Sequence, residues 1–283
     1  MQAFPEFVLP TEISLPDSDG GARLELALRL AQSASQTTLR YFRTDAYQVE
    51  RKSDRSPVTL ADKEAEQLVR SMVAEHYPED GILGEEFGSE PGSSVFEWII
   101  DPIDGTKSFI SGVPLYSTLV GLTCRGEPVL GVIAIPALGE LANGIRGRGT
   151  WYGQGNGAGK VNLAPTRVSN VKELSEGLFV VSQVDNFQRR HAQSAYEELE
   201  RKSYITRSWG DGYGYLLVAT GRAELMVDPV VNPWDVAAVA PVIVEAGGRF
   251  SSWAGEYDIR AGHGFASNGH VHEVALQTLK PFA

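Results

Sequence analysis

Residues 96–112 read FEWIIDPIDGTKSFISG, an apolar run that passes directly into two carboxylates three residues apart. The run at 96–100 predicts a buried strand. Asp101 and Asp104 follow it, and Pro102 between them restricts the backbone. Two carboxylates within one turn repel each other unless a cation lies between them. The stretch therefore predicts a strand that ends at a cation site.

The residues around this predicted site offer only oxygen ligands. The carbonyl of Ile103 can point towards the same centre as the side chains of Asp101 and Asp104, and no His or Cys is nearby. An all-oxygen set selects a hard cation, Mg²⁺ before Ca²⁺ or Mn²⁺. Gly105 and Thr106 add backbone N–H groups where a helix is predicted to begin, and such groups suit a phosphate. Cation ligands beside an anion cradle are what metal-assisted phosphate hydrolysis requires.

Three further carboxylates lie beside apolar segments, and two of them have a structural alternative. Glu85 follows the apolar pair at 82–83. Asp62 lies three residues after Thr59, so the two residues can form a capping box at the start of a helix. Asp235 lies at the start of another predicted helix, where it can interact with the helix dipole. Alone, Asp62 and Asp235 are therefore ambiguous.

Composition limits the classes of function. The chain has 283 residues, enough for one large α/β domain or two fused lobes. No apolar run approaches the ~20 residues of a membrane span. Residues 1–20 lack the features of a secretory signal, so we expect an N-terminal arm and a cytoplasmic protein. The net charge of −11 disfavours nucleic acid and anionic membranes as partners, whereas a small phosphorylated metabolite stays possible where cations neutralise the site.

Hydrophobic periodicity predicts a mixed α/β chain. Strands are expected at 96–100, 116–124, 129–135, 178–182 and 224–227. Helices are expected at 21–43, from Thr59 onward, and at 188–200, 211–220, 234–246 and 270–280. These patterns do not by themselves predict how the elements are layered.

Several motifs, in this order and spacing, resemble the inositol monophosphatase family of Mg²⁺-dependent phosphatases from about residue 22 onward. They are Thr59-Leu60-Ala61-Asp62, Gly84-Glu85-Glu86, Asp101-Pro102-Ile103-Asp104-Gly105-Thr106, Trp234-Asp235-Val236-Ala237-Ala238 and Glu245-Ala246-Gly247-Gly248. The resemblance implies an α/β fold of five layers, α-β-α-β-α, with an arm at 1–20, an N-terminal lobe at 21–175 and a C-terminal lobe at 176–283. It also implies a homodimer.

The resemblance further implies two to three Mg²⁺ ions, for which Mn²⁺ can substitute. The first would be held by Glu85, Asp101 and the carbonyl of Ile103. The second would be held by Asp101, Asp104 and Asp235. Asp62, with Glu85, would position a third ion or the water near it. Thr106 would orient the attacking water, and the backbone of Gly105 and Thr106 would hold the phosphate, with no covalent enzyme intermediate.

The segments at 208–215 and 227–234, and the run Lys107–Pro114, look most like the bacterial histidinol-phosphatase branch of the family. Histidinol phosphate carries an ammonium and an imidazole, so Asp211 and Asp228 would suit its cationic end. Alternatively, Asp211 caps its helix, and Asp228 is simply the last residue of a strand and does not contact the substrate. An inositol phosphatase, another small sugar-phosphate phosphatase and a non-enzymatic metal- or metabolite-binding relative stay open as alternatives.

Overall fold

Two β-sheets contain most of the strands. The computed structural model describes residues 3–9, 21–44, 49–51, 57–157 and 159–283, so most of the predicted arm at 1–20 lies outside the described residues. The strands are β1 (Glu6–Val8), β2 (Val49–Arg51), β3 (Pro57–Thr59), β4 (Gly81–Gly84), β5 (Gly88–Glu90), β6 (Phe96–Asp104), β7 (Ser117–Cys124), β8 (Glu127–Ile135), β9 (Glu140–Ile145), β10 (Gly149–Gln154), β11 (Lys160–Asn162), β12 (Ala164–Thr166), β13 (Leu178–Val181), β14 (Ile205–Arg207), β15 (Leu225–Asp228), β16 (Arg249–Ser251) and β17 (Gly264–Ser267).

The larger sheet has the strand order β12-β10-β9-β8-β7-β6-β4-β5, and the smaller one the order β14-β13-β15-β17-β16. Strand β6 lies inside the larger sheet, antiparallel to β7 and parallel to β4. Two short pairs, β1 with β11 and β2 with β3, lie apart from them.

The helices cover both faces of each sheet. They are α1 (Gly21–Leu39), α2 (Leu60–His76), α3 (Thr106–Ile110), α4 (Asp185–Arg189), α5 (Gln193–Lys202), α6 (Gly212–Ala219), α7 (Pro233–Val236), α8 (Val239–Glu245) and α9 (His272–Leu279). Helices α1 and α2 pack on the outer face of the larger sheet. Helices α6 and α8 lie between the sheets, and α4, α5 and α9 pack with the buried side chains on the far face of the smaller one. This confirms the predicted α-β-α-β-α layering. None of the described helices combines the length and apolarity of a membrane span.

The predicted elements are found, but several of their ends differ. Helix α1 ends at Leu39 rather than at residue 43. The helix predicted at 188–200 is divided into α4 and α5, and His191 between them has φ 59°. The helix predicted at 234–246 is divided into α7 and α8. Pro241 lacks the N–H that would bond to the carbonyl of Ala237, which explains this second break.

Close packing of α7 and α8 on the larger sheet brings the start of α7 to the end of β6. A Cβ atom on Gly131 would lie 1.8 Å from the carbonyl oxygen of Ala238, and one on Gly121 would lie 2.9 Å from the backbone of Ala237. Only glycine fits at such distances. The lack of a side chain at Gly121 in β7 and at Gly131 in β8 therefore allows the helix pair, and Asp235 with it, to approach the sheet.

Candidate metal centre and substrate cavity

Three carboxylates from two distant segments of the chain meet at the end of β6. Asp101, Asp104 and Asp235 can each place one oxygen so that all three atoms lie within 4.8 Å of one another. The first two are buried. These are the residues predicted for the second ion, and their role as ligands stays a prediction.

An irregularity in β6 turns both aspartates towards the same centre. The strand was predicted to end at Ile100 but continues to Asp104, and its pairing with β7 shifts between Asp101 and Asp104. Within this bulge, Asp101 Oδ1 accepts the backbone N–H of Ile103 at 3.0 Å. The carbonyl of Pro102 accepts the hydroxyl of Thr118 at 2.8 Å. A bulge re-aims side chains, which explains why residues three apart in a strand share one site.

The second aspartate of the bulge, Asp104, accepts hydrogen bonds from two distant segments of the chain. Its Oδ2 accepts the hydroxyl of Ser117, and it accepts the backbone N–H of Gly212 at the start of α6 at 2.6 Å. These two hydrogen bonds fix the orientation of the Asp104 carboxylate.

Burial, together with the charge of neighbouring carboxylates, raises the pKa values of the acidic group. Burial, followed by the charges of Glu85 and Asp104, raises the pKa of Asp101 well above its usual range. Burial raises the pKa of Asp235 to about 8. A hydrogen bond from the backbone of Asn232 opposes this shift, and the charge of Glu85 adds to it. A cation would relieve this repulsion, since an opposite charge favours the ionised form.

Asp62 lies beside this group and has one carboxylate oxygen available. Its Oδ2 accepts the backbone N–H of Thr59 at 2.8 Å and the hydroxyl of the same residue, which confirms the predicted capping box. Its Oδ1 is buried without a hydrogen-bond partner among the described residues. Burial is the main reason that the pKa of Asp62 is raised, to about 6, and the charge of Glu85 also raises it. A buried oxygen without a donor fits a cation or an ordered water, so the residues present fit Mg²⁺.

Helix α3 begins next to the acidic group, as predicted. Gly105 precedes it with φ 86°, a conformation that favours glycine. The hydroxyl of Thr106 donates to the carbonyl of Ile103 at 3.3 Å. Thr106 and Ile103, two residues with predicted roles, are therefore in direct contact.

A cavity of about 450 Å³ opens beside these residues. Asp104, Gly105, Thr106 and Asp235 form part of its lining, which also contains Asp211 and Asp228. The apolar part of the lining consists of Val113, Leu115, Val230 and Val231. Among the described residues that line the cavity, Lys107 is the one basic residue. The acidic group thus borders a cavity whose wall is partly polar and partly apolar.

Asp211 and Asp228 both face this cavity. Asp211 precedes α6 but makes no side-chain capping bond in the described structure, so capping does not explain it. Asp228 ends β15, and Ser182 donates a hydrogen bond to its carboxylate. Burial raises the pKa of Asp228 to about 7. The hydrogen bond from Ser182 opposes this shift, and the charge of Asp211 adds to it.

The match to known proteins agrees with this geometry. The model of the inositol monophosphatase family matches residues 22–281. The chain belongs to the inositol monophosphatase family. A histidinol-phosphatase of Chlorobaculum parvum is 42% identical over 244 residues, covering 86% of this chain and 91% of that protein. The histidinol-phosphatase of Mycobacterium tuberculosis is 37% identical over 256 residues, covering 90% and 97%.

A solved inositol monophosphatase from Zymomonas mobilis has the same fold. It is 30% identical, with a TM-score of 0.77, and the match covers 92% of this chain and 98% of that chain. These relatives confirm the prediction of a phosphatase of the inositol monophosphatase family.

Several residues that support the acidic group and the cavity carry no functional signal in the sequence. Ser117 and Ser182 donate to Asp104 and Asp228, and neither lies in a motif that indicates this. In the sequence Lys107 indicates only the family resemblance, yet its Nζ donates to Gln183 Oε1, and both residues line the cavity. Serines and a lysine are common on any surface, so only the tertiary contacts identify them.

Proposed function

We propose that the chain hydrolyses a small phosphate monoester, L-histidinol phosphate, to L-histidinol with the help of Mg²⁺. The observation that carries the proposal is the meeting of Asp101, Asp104 and Asp235, the last two of which line a cavity of about 450 Å³. Three buried or half-buried acids at one point are costly unless they hold a cation.

Two to three Mg²⁺ ions, or Mn²⁺ in their place, would use the predicted ligands. Glu85, Asp101 and the Ile103 carbonyl would hold one ion, and Asp101, Asp104 and Asp235 another. The free Oδ1 of Asp62 supports its predicted part in a third ion or its water. Bound there, Mg²⁺ would lower the pKa of a water molecule and stabilise negative charge on the leaving oxygen.

The chain's own residues orient the reactants. The hydroxyl of Thr106 donates to the carbonyl of Ile103, and its oxygen keeps lone pairs that can accept a hydrogen bond from the attacking water. Glu85 and Asp62 assist Thr106 by accepting the proton that this water loses. The backbone of Gly105 and Thr106 would hold the phosphate oxygens, in line with the water.

The identity of the ester rests on the rest of the cavity. Asp211 and Asp228 can bind the ammonium and imidazole of histidinol phosphate, and the apolar residues beside them suit the ring. The names of the two bacterial relatives support this choice. An aspartate at position 228 could also bind hydroxyl groups, so inositol 1-phosphate is the second candidate.

Phosphate release should be measured with Mg²⁺ on histidinol phosphate, inositol 1-phosphate, fructose 1,6-bisphosphate and a 3′-phosphoadenosine nucleotide. We expect the highest kcat/KM on histidinol phosphate. A preference for inositol 1-phosphate would contradict the substrate, and no release from any ester would favour a non-enzymatic relative.

We further propose that the protein is a homodimer and acts in the cytoplasm. Light scattering on the purified protein tests the first statement, with a mass of twice 30.7 kDa expected. Cell fractionation tests the second.

A further inference from the structure

Glu85 lies in the turn that follows β4. The backbone of this turn is hydrogen-bonded to a buried carboxylate. Glu66, on α2, is fully buried. Its Oε2 accepts the backbone N–H of Glu86 at 2.7 Å, and its Oε1 accepts the backbone N–H of Phe87 at 3.2 Å. Both donors directly follow Glu85, so Glu66 fixes the backbone on which that side chain is mounted.

An arginine completes this support. Arg70 Nε donates to Glu66 Oε1 at 2.8 Å, and another of its nitrogens donates to the carbonyl of Gly88. The pair therefore closes the turn from Glu86 to Gly88. A Cβ atom on Gly84 would lie 2.1 Å from Glu66 Oε1, so the glycine before Glu85 makes room for this carboxylate.

The same helix also carries Asp62. Asp62 and Glu66 are four residues apart and lie on one face of α2. The charge of Glu85 raises the pKa values of Asp62 and Asp101, so the Glu85 carboxylate lies close to both. Helix α2 thus presents Asp62 to the acidic group directly and supports Glu85 through the turn.

We propose that Glu66, together with Arg70, is a positioning residue that orients Glu85 for Mg²⁺ binding. This inference rests on the proposed function, in which Glu85 is a ligand. Groups that orient a metal ligand without touching the metal change its affinity by about 10- to 100-fold when they are removed. In Glu66→Gln, an amide N–H₂ faces backbone or guanidinium N–H donors, so the turn loses at least one of its anchors.

The test compares Glu66→Gln with a matched control, Glu245→Gln. Glu245 also closes a turn, because it accepts the backbone N–H groups of Gly147, Arg148 and Gly149 at 2.7, 3.1 and 2.9 Å. That turn lies outside the cavity lining given by the described residues. Mg²⁺ binding is measured by calorimetry, and phosphatase activity is titrated with Mg²⁺. Arg70→Lys, which keeps the charge but not the fork of donors, serves as a second variant if Glu66→Gln does not fold.

We expect Glu66→Gln to raise the Mg²⁺ Kd by about 10- to 100-fold, while kcat at saturating Mg²⁺ stays within a few-fold of wild type. Arg70→Lys should show a smaller shift in the same direction. Glu245→Gln should lower the thermal unfolding midpoint but leave the Mg²⁺ Kd within about twofold. An unchanged Kd in both Glu66→Gln and Arg70→Lys, or an equal shift in Glu245→Gln, overturns the inference alone. A wild-type protein that neither binds Mg²⁺ nor releases phosphate overturns the proposed function itself.

Discussion

Asp104 accepts the backbone N–H of Gly212 at 2.6 Å, although 108 residues separate them in the chain. One residue ends β6 in the larger sheet, and the other begins α6 between the two sheets. The contact joins the acidic group to the helix that follows Asp211, a residue that lines the substrate cavity. This hydrogen bond therefore links the proposed metal centre to the wall of the proposed substrate cavity.

Replacement of Gly212 by alanine should damage this contact. Its Cβ atom would lie 2.3 Å from Ser117 Oγ and 2.8 Å from Asp104 Oδ2, so one of these anchors must move. We expect a loss of about 1–3 kcal/mol in the free energy of unfolding and a weaker response to Mg²⁺. Urea unfolding and a Mg²⁺ titration of activity check this. Gly159→Ala, which meets no atom within 4 Å, is the control and should behave as wild type.

Local signals in the sequence predicted part of this site. Thr59 and Asp62 form the expected capping box because both partners lie within one helical turn, and helix α3 begins after Gly105 as expected. The five layers came only from the family resemblance. Strand and helix periodicity says which face of an element is buried, not which other element covers it.

Contacts between distant segments could not be read from the sequence. The bulge in β6 depends on the pairing of this strand with β7. The apolar run at 96–100 alone therefore predicts a strand that ends four residues too early. No motif indicates why position 212 is a glycine, and the structure explains it, because a Cβ atom there would lie 2.3 Å from Ser117 Oγ and 2.8 Å from Asp104 Oδ2. The support of Glu85 by Glu66 joins a helix to a turn 20 residues later, where no spacing rule applies.

Asp101→Asn should reduce turnover more than Asp62→Asn. Asp101 is predicted to be shared by two ions, whereas one carboxylate oxygen of Asp62 already accepts a hydrogen bond in the cap of α2. We expect a loss in kcat of more than about 100-fold for Asp101→Asn, beyond the range of residues that only orient a ligand. Steady-state kinetics at saturating Mg²⁺ measures both variants. If Asp62→Asn proves the more damaging, the assignment of roles is wrong.

Removal of the metal should reveal the repulsion among the acids. The pKa of Asp235 is raised from 3.8 to about 8, so the folded state binds this proton more tightly than the unfolded chain does. The wild-type protein in EDTA should therefore lose stability as the pH rises from about 4 to about 8. At pH ~8.5, above this pKa, Asp235→Asn should unfold at a higher temperature than wild type.

Addition of Mg²⁺ should reverse that order, because wild type gains binding energy that the variant lacks. Thermal unfolding with EDTA and with Mg²⁺, at pH 5 and pH 8.5, checks both statements. A variant that is less stable than wild type in EDTA at pH 8.5 would show that the carboxylate is not under repulsion.

Asp228→Asn should weaken selection of the cationic substrate without stopping the chemistry. Asp228 faces the cavity but is not among the three carboxylates that meet at the end of β6, so the variant keeps that group. A hydrogen bond between charged groups is worth about 1.5–3 kcal/mol, so we expect kcat/KM for histidinol phosphate to fall by about 10- to 100-fold. Phenyl phosphate, which has no cationic group, serves as the internal control, and its kcat/KM should change by less than about threefold, since it forms no such bond. An equal loss on both esters would mean that Asp228 supports the site as a whole rather than recognising the ammonium or imidazole.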